Sequence, residues 1–409
     1  DQSKLIHAMS RKSSFNEFLA NIRLTKSQRD DLIMGHKTLT RRLNNDEELS
    51  SVIVSTFLQG SYRRATAVKP KNNKRADVDI IVVTTLNKDE LTPEEAINKF
   101  EPFVKKYYDG KYKINGRSIG IKLSYVDLDI VITSAPSEAA QKELRAESVT
   151  TEFSLEDLNN DWRLVNSWAE PNHRSYWSSL FEQSVRNAVE WKSEPLWIPD
   201  RDAKCWVQTN PLEQIRWTRD KNKNTNTHFI NVVKAIKWWR TSKLTDLKYP
   251  KGYPIEHMVG DCCPDNITSV EEGIVKTLEG IVTIYSIDRI LERTPILWDR
   301  GVDDHNVWKR VDPEDFVAFY DYVKDAAKTA RKAFDSVKET DWHDNWRKLF
   351  GSEFPPVSEE QARAESLADK SNALRSGQAK VGQNVNIVFG GSGVSVPKER
   401  NHYDDKSLL

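Results

Sequence analysis

Three aspartates and a glycine-serine pair are the residues of this chain best suited to chemistry. Residues 52–68 read VIVSTFLQGSYRRATAV, residues 77–84 read DVDIIVVT and residues 121–133 read IKLSYVDLDIVIT. Side chains two apart on a strand share a face, so Asp77 and Asp79 project together. If the strand of Asp129 lies alongside, three carboxylates converge into an all-oxygen set suited to a hard cation such as Mg2+. Two such ions ~3.5–4 Å apart can clamp the attacking and leaving oxygens of an in-line phosphoryl displacement. An aspartate between Leu128 and Ile130 is costly to bury alone, and a metal removes that cost. Asp127 shares a face with Asp129 and competes for the third position, but sits nearer the strand entrance, so Asp129 is preferred.

The pair Gly60-Ser61, preceded by Gln59, offers backbone N–H groups and a hydroxyl to a nucleotide triphosphate. This order of turn and aspartates is the pattern of polymerase-beta-type nucleotidyltransferases. Arg63, Arg64, Lys69, Lys71, Lys74 and Arg75 follow with no acidic residue among residues 61–75. They mark either the place of a polyphosphate or a solvated loop. Lys234 and Lys237, three apart in HFINVVKAIKWWR, share a helix face. Lys237 is preferred as a clamp on the β- and γ-phosphates, with Lys234 second; the alternative is a lysine that snorkels beside Trp238 and Trp239. Asp200, in a loop, either accepts from an adenine amine or caps the segment that follows. His257 with Cys262-Cys263 lacks a conventional zinc spacing, and buried cysteines explain it better.

The elements that must position these residues are legible in outline. Runs 79–85 and 121–132 are rich in Val and Ile and read as strands. Residues 52–58 fit a strand or a helix end, and 93–107 carry helical spacing. Phe15, Phe18, Leu19 and Ile22, then Leu32, Leu39 and Leu43, predict a long helix over 15–44 that braces both halves. Residues 206–241, 255–260, 268–293 and 312–337 read as helical, the last with Asp312 as N-cap and Pro313 at the first position. Residues 134–205 read as a crossover with short helices. The polar stretch 355–409 reads as extended or disordered, with Val385–Phe389 able to dock as a strand. The expected fold is α+β and bilobed: a flexible 1–14, a sheet lobe over 15–205 with its bracing helix, an α-helical lobe over 206–354, a central cleft, and a tail.

Lys+Arg and Asp+Glu are both 61 in 409 residues, so bulk charge gives no case for coating DNA or a membrane, and no long nucleic acid substrate is expected. No apolar run reaches membrane-spanning length, and three cysteines make no disulfide framework, which together suit a cytoplasmic protein.

FLQGSYRRATAVKP, DVDIIVVT, SYVDLDIVIT, NVVKAIKWWR and YPKGYPIEHMVG resemble the corresponding segments of bacterial CD-NTases, relatives of cyclic GMP-AMP synthase. FNEFLANIR and QIRWT most resemble the clade D branch, and the likeness covers roughly residues 15–350. The resemblance implies a cleft enzyme that uses two Mg2+ ions, with Mn2+ as an alternative, to join ATP, with GTP as a second substrate, into a cyclic oligonucleotide. An adenine-rich trinucleotide, an anti-phage role and a HORMA-domain activator are implied in the same way. Gly60-Ser61 match the family's phosphate turn, Asp77, Asp79 and Asp129 its metal triad, and Lys237 its helical-lobe lysine. The second phosphate contact, a serine in many relatives, is replaced by Gly252-Tyr253-Pro254. The rival readings are an enzyme with linear products or RNA ends as substrates, and a nucleotide-binding module without turnover.

Overall fold

A computed structural model describes residues 2–71, 75–142, 194–381 and 387–389. Strands β1 (Ile53–Gln59), β2 (Asp77–Thr84), β3 (Tyr112–Ile114), β4 (Ile119–Lys122) and β5 (Asp127–Ile132) form one sheet in the order β1-β2-β5-β4-β3. The pair β2–β5 is parallel and the other neighbours are antiparallel. The ambiguous run at 52–58 is therefore a strand. Strand period two divides the sheet cleanly. Val78, Ile80, Val82, Leu128, Ile130 and Ile132 face one apolar cluster, which also takes Leu32, Leu39 and Leu43. Ile81, Val83 and Val131 face the other way, where Leu196 and Ile198 cover them. Those two come from β6 (Leu196–Asp200), which pairs with β7 (Cys205–Thr209).

The N-terminal segment is two helices rather than one long brace: α1 (Gln2–Asn21) and α2 (Lys26–Asn44). The break is a capping box, in which Thr25 accepts from Gln28 N–H and the Gln28 side chain accepts from Thr25 N–H. Helix α1 begins at Gln2, so the flexible stretch expected over 1–14 is helical from that residue on. Its Phe15 and Phe18 join the helical core. After β1 comes the short α3 (Gly60–Arg63), and the segment 93–107 is likewise split, into α4 (Pro93–Asn98) and α5 (Glu101–Tyr108), with Pro102 entering the first turn of α5.

The helical cluster is built on α6 (Pro211–Asn224), α7 (Phe229–Lys243), α8 (Gly252–Cys262), α9 (Val270–Ile284), α10 (Ser286–Ile290), α11 (Pro313–Phe334) and α12 (Glu339–Phe350). Residues 206–209, expected to be helical, belong to strand β7; the helix waits for Pro211, capped by Asn210. Every residue of α7 from Phe229 to Trp239 is buried, the mark of a central helix apolar all round. Phe18 stacks on Phe350 at 4.3 Å, and Trp346 lies 5.1 Å from Phe15 and 5.6 Å from Phe350.

The polar stretch after Pro355 is not all extended. Residues Glu359–Arg375 form α13, capped by Ser358, and Glu365 accepts from the backbone N–H groups of Glu339 and Thr340 at the start of α12. A carboxylate there satisfies orphan donors and complements the helix dipole. A hairpin of Ala379–Val381 with Ile387–Phe389 follows. The crossover read at 134–205 falls mostly outside the described residues, as does 390–409.

Removing the Trp346 ring empties the middle of the aromatic cluster. Trp346→Ala is expected to cost ~3–5 kcal/mol in urea unfolding. A loss below ~1 kcal/mol would show that α1 is not held by this cluster.

Candidate active site

Register brings the predicted residues together. Asp79 is the Cα partner of Gln59 on one side and of Asp129 on the other, and Asp77 is the partner of Asp127. Asp77, Asp79 and Asp129 share the sheet face of Ile81, Val83 and Val131, and they lie past the end of the apolar cover that β6 lays on it. The turn at the end of β1 is thus in the next strand position to Asp79. Asp127, the rival for the third place, is held at the edge by Arg75, whose Nε donates at 2.8 Å.

Gly60 has φ +76°, and a Cβ built there would stand 1.9 Å from Asp79 Oδ2. The turn requires glycine twice over: for its left-handed backbone and for the carboxylate packed against it. The Ser61 carbonyl then accepts from Thr66 N–H at 2.8 Å and Ala67 N–H at 3.1 Å, which folds the basic stretch back over the turn.

The carboxylates share an unfavourable field. Burial, then the charges of Asp77 and Asp129, push the Asp79 carboxyl up to about 7, with Arg64 opposing. Burial and Asp77 also raise Asp129, against a hydrogen bond from Ser118. Asp129 Oδ1 is buried without a hydrogen-bond partner. Among the described residues no three such side chains are drawn together tightly enough to hold an ion as they stand. The donors nevertheless fit a divalent cation: all are carboxylate oxygens, one is orphaned, and their mutual repulsion is what a cation relieves.

A cavity of about 330 Å³ opens beside the turn, lined by Ser61, Lys69, Lys71, Arg75, Asp77 and Arg240. Lys69 and Lys71 of the basic stretch are half-buried, whereas Arg75 is exposed. Lys69 pairs with Glu353 at 3.0 Å, and Lys69 and Lys71 both lie over the Trp238 ring. Lys74 lies outside the described residues.

Lys237 faces the same region from α7, but its Nζ donates to Glu256 at 2.8 Å and to the Thr66 carbonyl at 3.0 Å. Lys234, one turn away, is buried; burial and the charges of Arg23, Lys237 and Arg29 bring its ammonium down to about 7. Asp200 is remote from a ligand role in its present contacts. It accepts from Arg117 Nε at 2.6 Å and Ala203 N–H at 3.0 Å, closing the β6–β7 turn rather than capping a helix. His257 spends its ring nitrogens on the Trp298 carbonyl and Asp261, which removes it from any zinc set.

Sequence reasoning missed Glu256. It lies on α8, fully enclosed, and although burial alone would raise its carboxyl, Arg64 and Lys237 hold it down at about 2. Its partners lie 192 and 19 residues away, so no local signal marks it.

A Gly-Ser turn set against paired strand carboxylates, beside a helical cluster, defines the polymerase-beta-type nucleotidyltransferases. Residues 9–135 match the SMODS domain, the Second Messenger Oligonucleotide or Dinucleotide Synthetase domain. A probable cyclic AMP-AMP-GMP nucleotide synthase of Salmonella paratyphi B is 46% identical over 349 residues, covering 84% of this chain and 91% of that protein. A cyclic AMP-AMP-GMP synthase of Enterobacter hormaechei is 45% identical over 83% of this chain and 91% of its own length. Among solved structures, CdnC of E. coli MS115-1 in its complex with HORMA-deltaN shares the fold, with a TM-score of 0.56 at 15% identity over 84% of this chain and 98% of that one. The chain belongs to the bacterial CD-NTases, nucleotidyltransferases that make cyclic oligonucleotides.

Gly60→Ala is expected to lower nucleotidyl transfer about a hundredfold, since the added methyl displaces Asp79. Its stability should fall by only ~1–2 kcal/mol, the cost of one left-handed alanine. Turnover beside a thermal melt checks both, and near-normal turnover would contradict the role given to the turn.

Proposed function

We propose that this chain is a Mg2+-dependent synthase that joins ATP, with GTP as a second substrate, into an adenine-rich cyclic trinucleotide. The observation that carries the reading is the β2–β5 register, which sets Asp79 against Asp129 within reach of the Gly60-Ser61 turn. The named products of the Salmonella and Enterobacter relatives support the trinucleotide and its mixed bases.

In this reading the triphosphate lies against Ser61 and along the cavity walled by Lys69, Lys71 and Arg240, with Lys237 reaching it from α7. Gln59 and Gly60 shape the turn beneath it, and Lys234 stands one turn behind Lys237 on α7. Asp77, Asp79 and Asp129 would hold the metal. When bound, the metal neutralises phosphate charge and lowers the pKa of the acceptor hydroxyl. Asp129 receives the hydroxyl proton; its orphaned Oδ1 leaves an oxygen open for that task. The hydroxyl oxygen attacks the α-phosphorus and pyrophosphate leaves. Repetition and ring closure complete the product. Asp200 is assigned to shaping the β6–β7 turn and not to reading adenine.

A HORMA-domain partner, such as the one in the CdnC complex, as a regulator of this chain, and a place in cytoplasmic anti-phage signalling, belong to the same proposal. Among the described residues no helix is long and apolar enough to cross a membrane.

The test is incubation of the full chain with all four NTPs and Mg2+, with and without a HORMA-domain partner, followed by phosphatase and mass spectrometry. A phosphatase-resistant cyclic trinucleotide containing adenine is expected. Asp77→Asn/Asp79→Asn should reduce it at least about a hundredfold. Linear or RNA-linked products would replace the reading with an end-adding enzyme.

A further inference from the structure

Lys237, which reaches the phosphates in the reading above, and Arg64 beside the Gly60-Ser61 turn are tied together by one carboxylate. Glu256 Oε2 accepts from Arg64 Nε at 3.0 Å, and Glu256 Oε1 accepts from Lys237 Nζ at 2.8 Å. Arg64 is the residue that ends α3, and its N–H donates to the Gly60 carbonyl at 3.1 Å. Lys237 donates in turn to the carbonyl of Thr66, whose own N–H is bound to Ser61. The Arg64 guanidinium also lies 4.9 Å over the Tyr253 ring of α8. Arg64, Lys237 and Glu256 are 6%, 9% and 5% exposed, so the cluster is shielded from water and from salt.

We propose that Glu256 is a positioning residue with two tasks: it fixes the Gly60-Ser61 turn against the helical side through Arg64, and it holds Lys237 neutralised until a nucleotide triphosphate displaces it. The proposal rests on the nucleotidyltransferase reading of the site.

The charges explain both tasks. Two buried cations and one carboxylate leave a single net positive charge beside the triphosphate cavity. Without the carboxylate charge the same space holds two. The empty site is kept stable by the pairing, and an incoming polyphosphate has to compete for Lys237 with an anion already bound. Arg64 keeps its half of the carboxylate when Lys237 lets go, so the turn stays in place during the exchange. A carboxylate used only for stability would have no such opposed effects on binding and turnover.

The experiment compares wild type, Glu256→Gln and Glu256→Asp as full chains. Three quantities are read: the thermal midpoint, the Kd for an ATP analogue carrying a methylene between its α- and β-phosphates with Mg2+, and kcat for nucleotidyl transfer. Glu256→Gln should bind the analogue about fivefold tighter, the effect of one unopposed charge near the phosphates. Its kcat should fall about tenfold as the turn loses its anchor. Glu256→Asp keeps the charge but is one methylene too short to reach both cations. Its kcat should also fall about tenfold, with analogue affinity within about twofold of wild type. If the Gln variant does not fold, the Asp variant decides by the same split between kcat and Kd. Wild-type kcat in the folded variants, or weaker analogue binding by Glu256→Gln at a native melting point, overturns the proposal. A wild-type chain that binds no analogue overturns the functional reading beneath it, and this proposal with it.

Discussion

Like charges on neighbouring strands repel, and this repulsion is the constraint around which the sheet half is organised. Asp77, Asp79 and Asp129 occupy one face because strand periodicity and the parallel β2–β5 register leave them no other choice. Had the pairing slipped by one residue, Asp129 would point into the apolar cluster beside Ile80, and Ile130 would be turned out of it. Burial of Val78, Ile80, Val82, Leu128 and Ile130 on the opposite face therefore locks the carboxylates in place. The strain this leaves is visible in Asp79, whose carboxyl is lifted to about 7, and in the unpartnered Asp129 Oδ1. Concentrated negative charge of this kind suits a cation, and groups so perturbed cluster at functional sites.

The helical half answers with buried positive charge. Helix α7 is apolar all round, yet carries Lys234 and Lys237 in its buried stretch. Charges in such a place need partners. Glu256 supplies one for Lys237 and binds Arg64 in the same stroke, so a buried ion cluster joins the Gly-Ser turn to α7 and α8. Lys69, paired with Glu353 and lying over Trp238, makes a second tie nearer the cavity mouth. The two halves thus meet through charge around a cavity, an arrangement suited to a polyanionic substrate.

Much of the site was legible because short-range rules govern it. Period two put Asp77 and Asp79 on one face, and a glycine between an apolar run and a basic one marked the turn. What sequence could not supply was long-range pairing: the contact by which Arg75 holds Asp127 at the edge spans 52 residues, and Glu256 is joined to Arg64 across 192 residues. Errors in the fold have equally specific causes. The capping box Thr25-x-x-Gln28 breaks what apolar spacing on both sides suggested was one helix. WVQT (206–209) was absorbed into the helix that begins at Pro211. Helix α13 buries only Ala373 and has no apolar stripe to announce it; its order comes from its cap and from Glu365 bound to the start of α12.

Counting bound ions tests the carboxylate arrangement most directly. Mn2+ would be titrated into the chain with the methylene-bridged ATP analogue and followed by electron paramagnetic resonance, beside Asp129→Asn. Wild type should take up two ions per chain with magnetic coupling between them, as neighbours ~3.5–4 Å apart require, and Asp129→Asn should retain one. A single uncoupled ion in wild type, or an unchanged count in Asp129→Asn, would contradict the assignment of these three aspartates to one metal site.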